Sequence, residues 1–138
     1  MLGSAYRRIS TLFARALKPY GITPEQWSVL FLVAGREGIN QKEVAAAAAK
    51  DQPTTARIVD LLLKKGFLEK SVSPSDRRAF LLNATAAGKQ LLVETLPLEQ
   101  QNFNAAVAGL SASRLEELRA MLELIHDNTG NMDHEQEN

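Results

Sequence analysis

A mainly α chain carrying one small β-hairpin is predicted by three observations. Apolar residues recur at helical spacing, as in Ile9, Leu12, Phe13, Ala16, Leu17 and Tyr20, which share one face of a 3.6-residue period. Helix-start signals return along the chain, at Thr23-Pro24-Glu25-Gln26, Asn40-Gln41-Lys42-Glu43, Asp51 ahead of Pro53, Thr85 and Ser111. The helical pattern gives way once, after Gly66, to two short runs of strand type around a polar turn.

The first helix ends at Pro19 and Gly21, glycine being suited to the left-handed position past a last turn. Thr23 caps the second, with Pro24 at its first position and Gln26 closing a capping box, and the helix runs through Trp27, Leu30, Phe31 and Ala34 to Gly35 or Gly38. Asn40 and Glu43 repeat the box ahead of a short, alanine-rich helix from Val44 to Ala49, whose small side chains permit close approach of a neighbour. That neighbour starts at Asp51, tolerates Pro53 in its first turn and ends at Lys65-Gly66. Its apolar face is Thr55, Ile58, Val59, Leu62 and Leu63, while Gln52, Thr54, Arg57 and Lys64 point elsewhere.

The strand-like runs are Phe67–Val72 and Ala79–Asn83, separated by Ser73-Pro74-Ser75-Asp76-Arg77-Arg78, a run of turn formers. Thr85 caps a long helix through Leu91, Leu92 and Leu96, which Pro97 should kink before Phe103 and Val107. Ser111 caps the last helix, with Leu115, Leu118, Leu122 and Ile125 on one face, and residues 128–138 read as a polar, disordered tail.

A length of 138 residues is that of one domain. The absence of cysteine excludes disulfides, thiol redox sensing and thiolate metal sites. No apolar run approaches the roughly 18 residues of a membrane span and no secretory leader is evident, so a soluble, cytoplasmic protein is expected. The formal charge is zero but unevenly spread. Residues 1–20 carry Arg7, Arg8, Arg15 and Lys18 and no acid, residues 50–78 carry more bases than acids, and residues 114–138 are strongly acidic.

Two short helices joined by a turn of about three residues make a helix-turn-helix, whose second member can lie in a DNA major groove. A hairpin following it is a wing. On periodicity alone the polar face of the second helix reads as a solvated surface. The wing, together with the family resemblance given below, favours DNA, and the candidate contacts on the helix are Gln52, Pro53, Thr54, Thr55, Arg57 and Lys64, with Thr55 half buried. Arginine can pair with guanine and glutamine with adenine in bidentate fashion. In the wing the candidates are Ser75, Asp76, Arg77 and Arg78. A guanidinium is drawn to the negative potential of a narrow A·T-rich minor groove, and a carboxylate two residues earlier can hold it by a bidentate pair.

With these residues in place, the chain resembles the MarR family of winged helix-turn-helix regulators. The resemblance runs from Gly21-Ile22-Thr23-Pro24-Glu25-Gln26-Trp27 to Leu110-Ser111. Its most specific part is Asp76-Arg77-Arg78 with Thr85 and Gly88 at the family spacing, preceded by Gln52-Pro53-Thr54 and Leu63-Lys64-Lys65-Gly66. The family usually has leucine where this chain has Ala84, and leucine, glycine and an apolar residue where it has Ala48, Ala49 and Lys50.

The resemblance implies a two-fold dimer with intertwined first and last helices, residues 1–22 and 86–127, around a DNA-binding lobe of residues 23–85. It implies that Arg78 is the minor-groove arginine and Asp76 its carboxylate partner, which leaves Arg77 better assigned to a phosphate. The expected role is a repressor on a pseudo-palindromic operator of double-stranded DNA. Small aromatic or phenolic effectors bind similar proteins near the junction of dimer arm and lobe, where Tyr6, Phe13, Tyr20, Trp27 and Phe31 cluster, with Arg15 as an anion partner. Aromatic residues at helical spacing are also ordinary core. No cofactor or metal is expected: His126 and His134 lack ligand spacing. An enzyme is not expected either, since there is no glycine-rich phosphate loop and no serine with a His-Asp partner pattern. The competing reading is a winged-helix protein-interaction module whose helix docks a partner protein.

Overall fold

In the computed structural model, which describes residues 1–136 and side chains as far as Met132, each of the start signals above makes its capping bond. The elements are α1 (Leu2–Leu17), a 3-10 turn (Lys18–Tyr20), α2 (Pro24–Gly35), β1 (Ile39–Asn40), α3 (Gln41–Ala48), α4 (Gln52–Lys64), β2 (Leu68–Val72), β3 (Phe80–Ala84), α5 (Ala86–Ala106) and α6 (Ala112–Gln136). Thr23 accepts from the Gln26 amide at 3.2 Å while the Gln26 side chain accepts from the Thr23 amide, completing the box. At α3 only half of the expected box forms: Asn40 accepts from the Glu43 amide at 2.8 Å. Thr85 accepts from the Gly88 amide at 3.1 Å, and Ser111 from that of Arg114 at 3.3 Å.

One hydrophobic core joins Leu17 of α1, Trp27, Val29, Leu30 and Val33 of α2, Val44 of α3, Ile58, Val59 and Leu62 of α4, the sheet residues Ile39, Leu68, Leu82 and Ala84, and Leu91 of α5. Leu17 and Leu91 lie outside residues 23–85, so the lobe is completed by the end of α1 and the first turns of α5. The chain divides into two compact units, Met1–Asn102 and Phe103–Asn138. Leu63, expected inward, is only partly buried against the core.

The wing strands pair antiparallel from Leu68↔Ala84 to Val72↔Phe80. A third strand, β1, adds to β3 with Ile39↔Leu82, giving the order β1-β3-β2. Two residues are too few to show a period of two, and the pairing is anchored from outside the strand: the Gly38 amide donates to the Leu82 carbonyl at 3.2 Å and to Asn83 Oδ1 at 2.9 Å.

Where β3 passes into α5 the backbones nearly touch. The Thr85 amide donates to the Phe67 carbonyl at 3.0 Å and its hydroxyl to the Gly66 carbonyl at 2.6 Å. This seats Gly88 directly against Phe67, where a Cβ would overlap the Phe67 carbonyl oxygen. Helix α5 continues on both sides of Pro97. The bond lost there is the one to the carbonyl of Val93, a residue that is itself solvent-exposed.

The tail reads differently from expectation. Helix α6 does not stop at Asp127 but continues to Gln136, so the described part of 128–138 is helical; residues 137–138 lie outside the described residues. No proline interrupts this stretch, and the Thr129 hydroxyl folds back onto the Ile125 carbonyl at 3.0 Å, so its polarity sets solvation rather than helix termination. Among the described residues of α6 none is buried, and Leu118, Met121, Leu122, Leu124, Ile125 and Met132 are exposed.

Candidate nucleic-acid interface

The turn between α3 and α4 is made by Ala49, Lys50 and Asp51. Ala49 adopts a left-handed conformation at φ 52°, its amide reaching the Ala45 and Ala46 carbonyls, and the Lys50 amide donates to the Ala45 carbonyl at 3.0 Å. This closes the carbonyl end of α3 as a glycine would. Asp51 then caps α4 with both oxygens: one accepts from the Thr54 amide at 2.7 Å, the other from the Thr54 hydroxyl at 2.8 Å. The Thr54 amide, and then its hydroxyl, hold the Asp51 carboxyl below its usual range.

The first turn of α4 is thereby rigid, and it sorts the candidate residues. Gln52, Pro53, Arg57 and Lys64 are exposed, and Thr54 is half-buried with its hydroxyl proton given to Asp51. Thr55 is corrected from a DNA contact to a core residue: it is 0% exposed, and its hydroxyl donates to the Asp51 carbonyl at 2.9 Å. A threonine whose hydroxyl back-bonds within its own helix presents only its methyl to neighbours, which lets it sit beside Ile58 and Val59. Arg57 borders a cleft of about 380 Å³ with Ser10, Ala14 and Pro24, and makes no ion pair among the described residues.

The wing tip spans 73–79 and is closed by the Ser73 amide donating to the Ala79 carbonyl at 3.1 Å. Ser75, Asp76, Arg77 and Arg78 are all exposed, with the Ser75 hydroxyl 3.1 Å from that of Ser73. The expected clamp of Asp76 on the Arg78 guanidinium is not what forms. Asp76 Oδ1 accepts from the Arg78 backbone amide at 2.9 Å, and no ion pair joins the two side chains among the described residues. An aspartate two residues ahead of an amide closes an Asx turn, so it shapes the tip and leaves the guanidinium unpaired.

Residues outside the sequence-based candidates also frame this surface. Lys70 places its ammonium 4.7 Å from the centre of the Phe80 ring. A cleft of about 390 Å³ between α3, α4 and the wing is bordered by Gln41, Lys42, Asp60, Lys70 and Arg78. Lys65, read only as a helix-end residue, donates to the Gly21 carbonyl at 2.6 Å and to Gln26 Oε1 at 2.9 Å. Nothing in linear spacing links positions 21, 26 and 65.

The six effector-pocket candidates divide between interior packing and the surface. Phe13 meets Trp27 edge-on at 5.1 Å, Trp27 stacks on Phe31 at 5.2 Å, and the indole N–H of Trp27 donates to Thr95 Oγ1 at 2.8 Å. Tyr20 packs on the core, Tyr6 is exposed, and Arg15 borders a separate groove along α1 with Arg7 and Arg8. Helical spacing placed Phe13, Trp27 and Phe31 correctly because they satisfy one another as packing. An apolar recess of about 290 Å³ lies beside them, lined by Phe31, Ala34, Gly35, Leu92, Val93 and Leu96.

A model of the MarR family matches residues 20–79, the span from the α1–α2 junction to the end of the wing tip. The HTH-type transcriptional regulator YdcH of Bacillus subtilis is 30% identical over 69% of this chain and 67% of its own length. The chain belongs to the MarR family. The transcriptional repressor CouR, solved bound to a 23-mer DNA duplex, is 29% identical and superimposes with a TM-score of 0.83 over 91% of this chain and 89% of its own. BpsR of Bordetella bronchiseptica, 26% identical, superimposes with a TM-score of 0.85 over 91% of this chain and 90% of its own. A further relative from Thauera aromatica is 30% identical, but the matched stretch spans only 64% of its length. The family-model match covers α2 to α4 and the wing tip, and so every candidate contact on α4 and the wing.

Proposed function

We propose that the chain is a homodimeric, sequence-specific double-stranded DNA-binding regulator, a repressor of MarR type relieved by a small aromatic effector. The observation that carries this reading is one compact unit exposing Gln52, Arg57 and Lys64 on α4 and Arg77 and Arg78 on the wing, with the Arg78 guanidinium unpaired among the described residues. Helix α4 lies in the major groove, with Gln52 and Arg57 toward base edges and Lys64 toward phosphate. Arg78 enters the adjacent minor groove and Arg77 takes a phosphate. That a relative with the same fold was solved on a DNA duplex supports this placement.

Dimerisation is supported by apolar surface that a monomer would leave wet. Leu2, Tyr6, Ile9 and Leu12 of α1 and the exposed apolar residues of α6 are such surface. A dimer sets two reading helices about one helical turn, roughly 10 bp, apart on a pseudo-palindrome. Regulation of BpsR by 6-hydroxynicotinic acid supports an effector that is a small aromatic acid. It would act by favouring a spacing of the two lobes that no longer matches successive grooves. No described helix is long and apolar enough to cross a membrane, in keeping with a cytoplasmic site of action.

The test is a mobility shift with DNA from upstream of the protein's own coding region. Arg57→Ala and Arg78→Ala should each weaken binding by about tenfold or more, given about 1–3 kcal/mol for a good base or groove contact. If neither moves affinity by about twofold, the proposed contacts are wrong. No retarded band with the unaltered protein would favour a protein-docking module instead.

A further inference from the structure

Three chain segments converge on one ammonium group. Lys65 follows the last residue of α4, and its Nζ lies 2.6 Å from the carbonyl oxygen of Gly21 and 2.9 Å from Gln26 Oε1. Gly21 is the left-handed residue, at φ 67°, that turns the chain from α1 toward α2. Gln26 is a buried side chain at 8% exposure, and it is also the residue that closes the capping box of α2. A basic residue at the end of a DNA-reading helix would ordinarily be assigned to a phosphate. Here two of its three protons are already committed inside the protein, whereas Lys64 beside it makes no such bond among the described residues.

We propose that Lys65 is a positioning residue: it fastens the C-terminal end of α4 to the α1–α2 junction and so sets the angle at which the reading helix is presented. The inference rests on the assignment of α4 as the reading helix. Both acceptors belong to the junction. One is backbone and the other a side chain immobilised by burial, so the ammonium is held by fixed partners. Helix α4 turns about its buried contacts at Ile58, Val59 and Leu62, so at 1.5 Å per residue Gln52 lies roughly 10 Å from the pivot and a tilt of about 5° moves it by about 1 Å. That exceeds the tolerance of a bidentate hydrogen bond to a base. The core contacts of Ile58, Val59 and Leu62 fix how deeply α4 is seated, while Lys65 restrains its swing.

The experiment compares the full-length chain with Lys65→Met and Lys65→Arg. Methionine keeps the apolar stem and removes the donors; arginine keeps charge and donors. Binding to the upstream duplex is titrated at several salt concentrations. For Lys65→Met the expected result is a loss of about tenfold in affinity with an unchanged slope of log affinity against log salt, and for Lys65→Arg a return to within about threefold of the original. A slope shallower by about 0.9 in Lys65→Met would make Lys65 a phosphate contact and overturn the proposal. So would an affinity changed by less than about twofold. Hydrogen exchange of the free protein tests the fastening independently of DNA. Lys65→Met should expose both 21–26 and the last turn of α4 to faster exchange, and unchanged exchange in either segment overturns the fastening. If the unaltered chain retards no DNA while exchange responds as expected, the fastening stands and the DNA reading fails.

Discussion

Ala49 is the residue that shows most clearly what this chain has traded. Its left-handed backbone is the only such conformation among described non-glycine residues, a conformation that glycine takes without strain. A Cβ in the left-handed region costs about 1–2 kcal/mol, partly offset because alanine loses less chain entropy on folding than glycine. Ala49→Gly should therefore raise stability by about 0.5–1 kcal/mol, read as a higher urea midpoint at unchanged m-value. A lowered midpoint would mean the Ala49 methyl makes a contact worth more than the strain. The neighbouring site residues divide by the same local logic. Thr54 and Thr55 differ by one position, yet one hydroxyl closes the Asp51 cap and the other is buried against its own helix. Asp76 was legible as a partner of Arg78, but the partner is the amide, because the turn at the wing tip brings that amide to the carboxylate first.

Between elements, the tightest joint is where α5 leaves the wing. Gly88 lies against the Phe67 carbonyl, which already accepts the Thr85 amide, and a Cβ added to it would also come within 3.1 Å of a Leu30 methyl. A methyl there must push backbone, not a flexible side-chain end. Gly88→Ala should destabilise the chain by about 1–3 kcal/mol, the cost of overpacking a rigid site, with Gly35→Ala as the control because nothing lies within 4 Å of its Cβ position. Equal stabilities of the two variants in thermal unfolding would refute the joint. At this scale most of the architecture was readable. Helix starts at Thr23, Asn40, Asp51, Thr85 and Ser111 are local signals, and local hydrogen bonds realise them. Strand β1 was not readable, being two residues long and defined by a partner more than forty positions away. The end of α6 was not readable from composition, because a polar stretch sets solvation and Gly130 weakens a helix without ending it.

For the whole molecule, zero formal charge coexists with a net-basic stretch at residues 50–78 because the strongly acidic segment lies elsewhere, in residues 114–138. The tip of the wing and the exposed face of α4 are basic where they would meet phosphate, and the acids of residues 114–138 lie in the other compact unit. Nucleic-acid affinity depends on that local charge and not on the sum. Of the residues expected near an effector, Phe13, Trp27 and Phe31 pack on one another, while Tyr6 is exposed and Arg15 borders a groove along α1; helical periodicity tells which residues share a face and not what that face meets.

The central claim, a dimer gripping two half-sites through helix and wing, is tested most directly by titrating the upstream duplex across a salt series with stoichiometry measured at saturation. The account predicts two chains per duplex and, for six to ten neutralised phosphates, a loss of about 10³–10⁵ in affinity between 50 and 200 mM salt. An affinity that changes by less than about threefold over that range, or saturation at one chain per duplex, would contradict it.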